Sequence, residues 1–142
     1  MRSDLSDAWP VEPNDYVTTM PLAVAQGVQI AVATPELVEG TLSWRPELCT
    51  IGGTMHGGAL MTLADSLGAV CAFLNLPDGA AGTSTIESKT NMLRAVREGT
   101  VTGSSTPVHV GRSTIVVQTH VRDERGKLVS LTTQTQTVLQ TT

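Results

Sequence analysis

The chain has 142 residues, which is long enough for one domain with a real core and too short for two ordinary domains. Its 9 Lys and Arg stand against 13 Asp and Glu, and this net charge of −4 argues against a nucleic-acid-binding protein, which would usually be basic overall. No stretch approaches the roughly 20 apolar residues of a membrane span, and the polar, acidic start of the chain does not resemble a signal peptide.

The first part of the chain predicts an arm, a short helix and two strands. Residues 1–16 contain two prolines and few apolar anchors, so we expect a flexible N-terminal arm there and a single folded domain over residues 17–142. Residues 22–26 favour a short helix. Residues 29–34 and 37–44 favour strands that are joined by a turn.

A long helix is predicted from about residue 57 to residue 75. Apolar residues recur along it at helical spacing and form one stripe that a core would bury, namely Leu60, Leu63, Ala64, Leu67, Val70, Cys71 and Leu74. Because Cys71 belongs to this stripe, a disulfide with Cys49, the other cysteine of the chain, is not expected. Free cysteines fit a reducing cytoplasm, and we expect a cytoplasmic protein with no nucleic-acid or membrane partner.

The start of this helix offers a place for a developing negative charge. His56-Gly57-Gly58 precedes the helix, whose first-turn N–H groups have no partner within it. Glycine lets a ligand oxygen come close to those groups, so this position suits an oxyanion. Asp65 lies off the apolar stripe among small residues and is a candidate general base or nucleophile.

The spacing of Gly57 and Asp65 predicts a site shared between two subunits. The two residues are eight positions apart, which is about 12 Å along a helix. One reacting carbonyl cannot lie roughly 3 Å from both. If both take part, they come from two helices, most simply those of a two-fold homodimer.

The remainder of the chain is predicted to be strands. Residues 83–93, 99–110, 112–122 and 128–139 have strand-like composition or alternation, and a hairpin turn at 123–126 ends on Gly126, which suits a positive φ. One long helix against a run of antiparallel strands predicts an α+β fold.

Four segments in order resemble one family. They are the His56-Gly57-Gly58…Asp65 helix, the strand from Thr85 to Val96, the turn Val108 to Ser113, and the closing hairpin at residues 121–127. Over roughly residues 20–140 the chain resembles the hotdog-fold acyl-CoA thioesterases of the phenylacetate-degradation type. The resemblance implies an antiparallel sheet wrapped around one long central helix, in a homodimer that pairs further into a homotetramer. It also implies hydrolysis of an acyl-CoA to the free acid and coenzyme A, with no metal or redox cofactor and with coenzyme A entering as part of the substrate.

The resemblance also implies roles for individual residues. Asp65 would activate water or attack the thioester directly, and the Gly57 N–H of the other subunit would stabilise the oxyanion. His56 and Thr50 would support that geometry, although Thr50 stands where the family often carries Asn or Gln. The expected substrate-binding residues are Gly58 through close packing, Thr83 or Ser84 through a bound water, and Asn91, Arg94, Gly111 and Arg112 through coenzyme A.

Several alternatives stay open at this point. The basic residues Lys89, Arg94, Arg97 and Arg112 are either a cluster for the coenzyme phosphates or solvated charges at strand ends. A hydratase would need an acid–base histidine in a different arrangement, which the sequence does not offer. A module that binds acyl-CoA without turning it over is favoured by Thr50, whereas Asp65 argues against it. With few aromatic residues, the sequence does not separate an aryl from a short- or medium-chain acyl group.

Overall fold

An antiparallel sheet around one long helix is the architecture of residues 12–142, the part of the chain that the computed structural model describes. Its helices are α1 (Asp15–Thr18), α2 (Pro21–Gln26) and α3 (Gly57–Leu74). Its strands are β1 (Gln29–Ala33), β2 (Val38–Ser43), β3 (Ala80–Met92), β4 (Thr100–Val110), β5 (Thr114–Arg122) and β6 (Leu128–Gln140). The six strands pair antiparallel in the order β1-β2-β4-β5-β6-β3, so the predicted α+β fold and its elements are confirmed.

Helix α3 is the centre of the core. Its predicted apolar stripe is buried from Leu60 to Cys71, and the helix contacts all six strands. The helix is 18 residues long with a mean hydropathy of 1.5, values that a membrane span also reaches. Because it packs inside the sheet, α3 is the core helix of this domain rather than a membrane span.

Two paired glycines, Gly40 and Gly103, form a notch in the sheet against which α3 packs. Gly40 of β2 and Gly103 of β4 are directly paired across the two strands. A Cβ added at either glycine would lie 2.7 Å from a terminal methyl of Leu67, whose side chain is fully buried. The paired glycines therefore make room for Leu67 and bring the helix close to the sheet.

The β5–β6 hairpin has the turn chemistry that its sequence predicts. Gly126 has a φ of +78°, and the Asp123 carboxylate accepts hydrogen bonds from the backbone N–H groups of Arg125 and Lys127, both at 2.9 Å. These hydrogen bonds, first that from Lys127, hold the pKa of Asp123 below its usual value.

The predicted N-terminal arm is described only in part. Residues 1–11 lie outside the described residues. Of the rest, the Asn14 side chain accepts the Ile30 N–H at 2.9 Å, and α1 places Tyr16 edge-on to Phe73 with ring centroids 6.5 Å apart. Val17 is buried. Asn14 and Tyr16 thus contact the folded domain, and the division between an arm at residues 1–16 and a domain at residues 17–142 stays a prediction.

Candidate active site

Asp65 is an exposed carboxylate that is held by two strands. It lies on α3, off the buried stripe, as the sequence predicts. Its Oδ1 accepts one hydrogen bond from Thr85 Oγ1 of β3 and another from Gln134 Nε2 of β6, each at 3.2 Å. The carboxylate therefore has a defined orientation, and its second oxygen, Oδ2, takes part in neither bond.

The hydrogen bonds around Asp65 continue between the two strands. Gln136 Nε2 donates to Thr85 Oγ1 at 2.6 Å, and Thr83 Oγ1 donates to Gln136 Oε1 at 3.1 Å. The side chains of Gln134 and Gln136 are almost fully buried, at 0% and 1% exposure. A carboxylate at the surface is thus supported by a buried polar network.

Three members of this network were missed in the sequence, namely Thr85, Gln134 and Gln136. Of the two candidates that the sequence offered on this strand, Thr83 belongs to the network but reaches Asp65 only through Gln136 and Thr85, whereas Ser84 is exposed and is not part of the network. Alternation in a strand that is polar on both faces does not reveal which residue meets the helix.

The start of α3 opens on a cleft of about 370 Å³. Its lining residues are Thr54, Met55, Gly57, Leu60, Met92, Leu93, Arg94 and Ala95. As the first residue of the helix, Gly57 has an N–H with no acceptor within the helix. A Cβ at Gly57 would lie 3.2 Å from the terminal methyl of Met92, so the glycine keeps this approach open.

His56 acts on the first turn of α3 through its ring. Its Nδ1 accepts the Gly58 N–H at 2.8 Å, which satisfies one of the free donors of the helix start. A neutral His56 that accepts at Nδ1 carries its proton on Nε2. A Cβ at Gly58 would lie 3.0 Å from that Nδ1, so the glycine allows the close contact.

A second, mostly apolar cleft of about 260 Å³ lies along α3 from Asp65. It is lined by Tyr16, Thr19, Met20, Ala69, Val70, Phe73, Gly82 and Thr83. Ala69 follows Asp65 by four positions, which places it one turn along the same helix face. The apolar recess therefore begins about one helical turn beyond Asp65, which does not itself line it.

Thr50 does not line either cleft. It is exposed at the start of a 3₁₀ turn (Ile51–Gly53), and its N–H donates to Thr54 O at 2.8 Å. Thr54, four residues later, lines the Gly57 cleft instead. The loop itself is held in place because Trp44 Nε1 donates to Gly53 O at 3.0 Å.

The predicted coenzyme contacts fall at two ends of the sheet. Arg94 follows β3, lines the Gly57 cleft, and donates its N–H to Val129 O at 3.2 Å near the β5–β6 turn. Arg112 is exposed in the turn between β4 and β5, where Gly111 N–H donates to Thr114 O at 2.8 Å. Since these turns lie at opposite ends of β5, one chain does not bring Arg94 and Arg112 together. Asn91 is exposed on β3.

Comparisons with known proteins agree with this architecture. The model of the thioesterase superfamily matches residues 52–130. A 1,4-dihydroxy-2-naphthoyl-CoA hydrolase of Escherichia coli is 38% identical over 76 residues, which are 54% of this chain and 55% of the relative. The proofreading thioesterase EntH of Cronobacter turicensis is 31% identical over 101 residues, 71% of this chain and 73% of the relative. The crystal structure of a thioesterase from Haemophilus influenzae, 25% identical, superposes with a TM-score of 0.85 and covers 93% of both chains.

Proposed function

Because the chain belongs to the thioesterase superfamily and has the hotdog fold of its thioester hydrolases, we propose that Asp65 drives hydrolysis of an acyl-CoA to the free acid and coenzyme A. The observation that carries this proposal is the orientation of the carboxylate. Two donors hold Oδ1, so Oδ2 is available to a water or to the thioester carbon beside the apolar cleft.

Two routes use this carboxylate. As a general base, Asp65 takes a proton from water while the water oxygen bonds to the thioester carbon; the C–S bond then breaks and the coenzyme A thiolate leaves. As a nucleophile, Asp65 bonds to that carbon, the C–S bond breaks and the coenzyme A thiolate leaves, so that an anhydride forms; water then cleaves the anhydride, which releases the acid and regenerates the Asp65 carboxylate. In both routes negative charge develops on the carbonyl oxygen and needs a donor.

We assign that donor to the Gly57 N–H of a second subunit. Along α3, Gly57 lies about 12 Å from Asp65 of its own chain, too far for one carbonyl to reach both. Strand β3 is a 13-residue edge strand with backbone groups available to another chain. Pairing of two β3 strands around a two-fold axis gives the homodimer that this site requires, and the homodimer pairs further into a homotetramer.

The two clefts supply the rest of a substrate site. The apolar cleft beside Asp65 suits an aryl or a short- or medium-chain acyl group, because its lining includes Tyr16, Met20 and Phe73. The cleft at Gly57 suits the coenzyme arm, and Arg94 at its edge carries a charge that phosphates attract. Gly58, Asn91, Gly111 and Arg112 complete the proposed contacts to the substrate.

His56 and Thr50 are proposed to support the oxyanion position. His56 holds the first turn of α3 by accepting the Gly58 N–H. Thr50 begins the loop that leads to Thr54 at the cleft. We place the enzyme in the cytoplasm and propose that it uses no resident metal or redox cofactor.

The test is thiol release from benzoyl-CoA, phenylacetyl-CoA, hexanoyl-CoA and acetyl-CoA. We expect Asp65→Asn to lower kcat by about 10²-fold or more, because the base or nucleophile is lost. Asp78→Asn, which makes the same chemical change at an exposed turn after α3, is the matched control and should keep the wild-type rate.

Two results would contradict the proposal. An Asp65→Asn variant with wild-type kcat would show that this carboxylate does not take part. If no thioester is hydrolysed while acyl-CoA binds equally well to the wild type and Asp65→Asn, the chain is a binding module, the alternative that Thr50 favours.

A further inference from the structure

The side-chain amide of Gln134 donates a hydrogen bond to Asp65 but leaves its own oxygen without a partner among the described residues. Its side chain is fully buried, and Nε2 donates to Asp65 Oδ1 at 3.2 Å. Its Oε1 has no hydrogen-bond partner among the described residues, although a buried carbonyl oxygen normally has one. Thus Nε2 of Gln134 donates to the Asp65 carboxylate, whereas Oε1 of the same amide is buried without a hydrogen bond.

The charge of Asp65 selects this orientation of the amide. If the carboxamide were turned over, its oxygen would face the Asp65 carboxylate and the two acceptors would repel each other. Only the orientation with Nε2 toward Oδ1 gives an attractive contact, and this orientation points Oε1 at the helix instead.

Helix α3 has a space that fits the unsatisfied oxygen. A Cβ added at Gly68, three positions after Asp65, would overlap the Gln134 carboxamide. Glycine is costly within a helix because it gives up much conformational freedom on folding. Because Gly68 has no side chain, the Gln134 amide on β6 can lie close against α3 and reach Asp65.

We propose that Gln134 is a positioning residue that fixes the Asp65 carboxylate through Nε2, with Gly68 providing the space for its amide. The inference rests on the proposed function, in which Asp65 acts on the thioester. Gln134 does not touch the substrate; together with the Thr85 hydroxyl it prevents the carboxylate from rotating, so that Oδ2 stays directed at the reacting carbon or water.

The test measures kcat and KM separately for Gln134→Met, with the best thioester of the four-compound panel. Methionine fills a similar volume without donating a hydrogen bond. We expect kcat to fall about tenfold or more while KM changes less than about twofold, because orientation and not binding is lost. The matched control is Gln118→Met on β5, where the amide donates to Thr133 Oγ1 at 3.2 Å and has no contact with Asp65; its kcat should stay unchanged.

The same substitution in the Asp65→Asn background separates positioning from a structural role. A residue that acts through Asp65 has nothing left to position there, so Gln134→Met should change the residual kcat less than about twofold. An equal loss in both backgrounds, or a wild-type kcat for Gln134→Met alone, overturns this inference and leaves the role of Asp65 intact. A wild-type kcat for Asp65→Asn, or no hydrolysis of any thioester in the panel, overturns the proposed function and this inference with it.

Gly68→Ala gives a second way to disturb the contact. It retains the amide but displaces it from the helix, so we expect the same loss of kcat with little change in KM. If Gln134→Met does not fold, as judged by circular dichroism and gel filtration, Gly68→Ala decides the question. A folded Gly68→Ala protein with wild-type kcat would then overturn the inference.

Discussion

Cys71 shows how burial in the apolar stripe controls the chemistry of a single residue. Burial raises the pKa of its thiol to about 11, because the charged thiolate loses its hydration there. Cys49, in contrast, is partly exposed and donates its thiol to Arg45 O at 3.4 Å. The structure confirms that the two cysteines form no disulfide.

This difference predicts selective reaction of the thiols. At pH 8 we expect a disulfide reagent to modify only Cys49 in the folded protein and both cysteines after unfolding, since the thiolate is the reacting form. Two equally fast thiols in the native protein would contradict a buried Cys71; Cys49→Ser, with no fast thiol left, is the control.

Because the folded pKa of Cys71 exceeds the unfolded value, its contribution to the free energy of unfolding is lost as the pH rises from about 9 toward 11.

At the scale of the elements, the close contact between α3 and the sheet depends on two glycines. Gly40 and Gly103 face each other across β2 and β4 and leave the space that Leu67 fills. Interiors are packed too closely for an extra methyl group at such a point to be absorbed without movement.

Gly40→Ala should therefore destabilise the protein. Its Cβ would overlap the Gln29 carbonyl oxygen and lie 2.7 Å from Leu67 Cδ2, so both the β1–β2 pairing and the helix would have to shift. We expect the free energy of unfolding to fall by about 1–3 kcal/mol, measured by urea denaturation. Gly82→Ala on β3, whose Cβ would meet its nearest neighbour at 4.0 Å, is the matched control and should be neutral or slightly stabilising. Equal stabilities of the two variants would show that the notch is not tight.

At the scale of the whole molecule, the proposed site exists only where two chains meet. Gly57 takes part through its N–H, so the informative substitution is Gly57→Pro, which removes that donor and adds a ring whose Cβ would lie 3.2 Å from the terminal methyl of Met92. Proline is well accepted at the first position of a helix. The preceding residue, His56, has φ −60° and ψ 135°, a conformation that proline permits.

Mixed dimers test this arrangement. We expect Gly57→Pro and Asp65→Asn each to be nearly inactive, and a refolded equimolar mixture to recover about a quarter of the wild-type activity, because half of the random dimers are mixed and one of their two sites is intact. If both groups acted within one chain, every site in the mixture would carry a defect and no activity would return. Gel filtration provides the control, since a monomer near 14.9 kDa would contradict a shared site.

Several features of the site could be read from the sequence because local spacing determines them. Asp65 was expected off the apolar stripe, and the structure places it exposed on α3. The position of Gly57 at the helix start follows in the same way, since the stripe begins at Leu60 and the glycines precede it. Their roles in hydrolysis stay predictions.

The support for the carboxylate could not be read in this way. On β6, the buried face carries Ser130, Thr132, Gln134 and Gln136 together with Val138, whereas Leu131 lies on the outer, half-buried face. A choice of the buried face by hydrophobicity alone would favour the face that carries Leu131. The sequence also could not show whether the basic residues form one cluster. Arg94 lies near the turn that follows β5 and Arg112 lies in the turn that precedes it, so one chain keeps them apart.

The sequence by itself determined what depends on neighbours within a few residues: the apolar stripe of α3, the free N–H groups at its start, and the positive φ of Gly126 in the β5–β6 turn. Only the tertiary structure decided which face of β6 is buried and which side chains hold Asp65. The physical reason is that a polar residue becomes buried when a partner from elsewhere in the chain satisfies it, and Gln134 meets its partner 69 positions away.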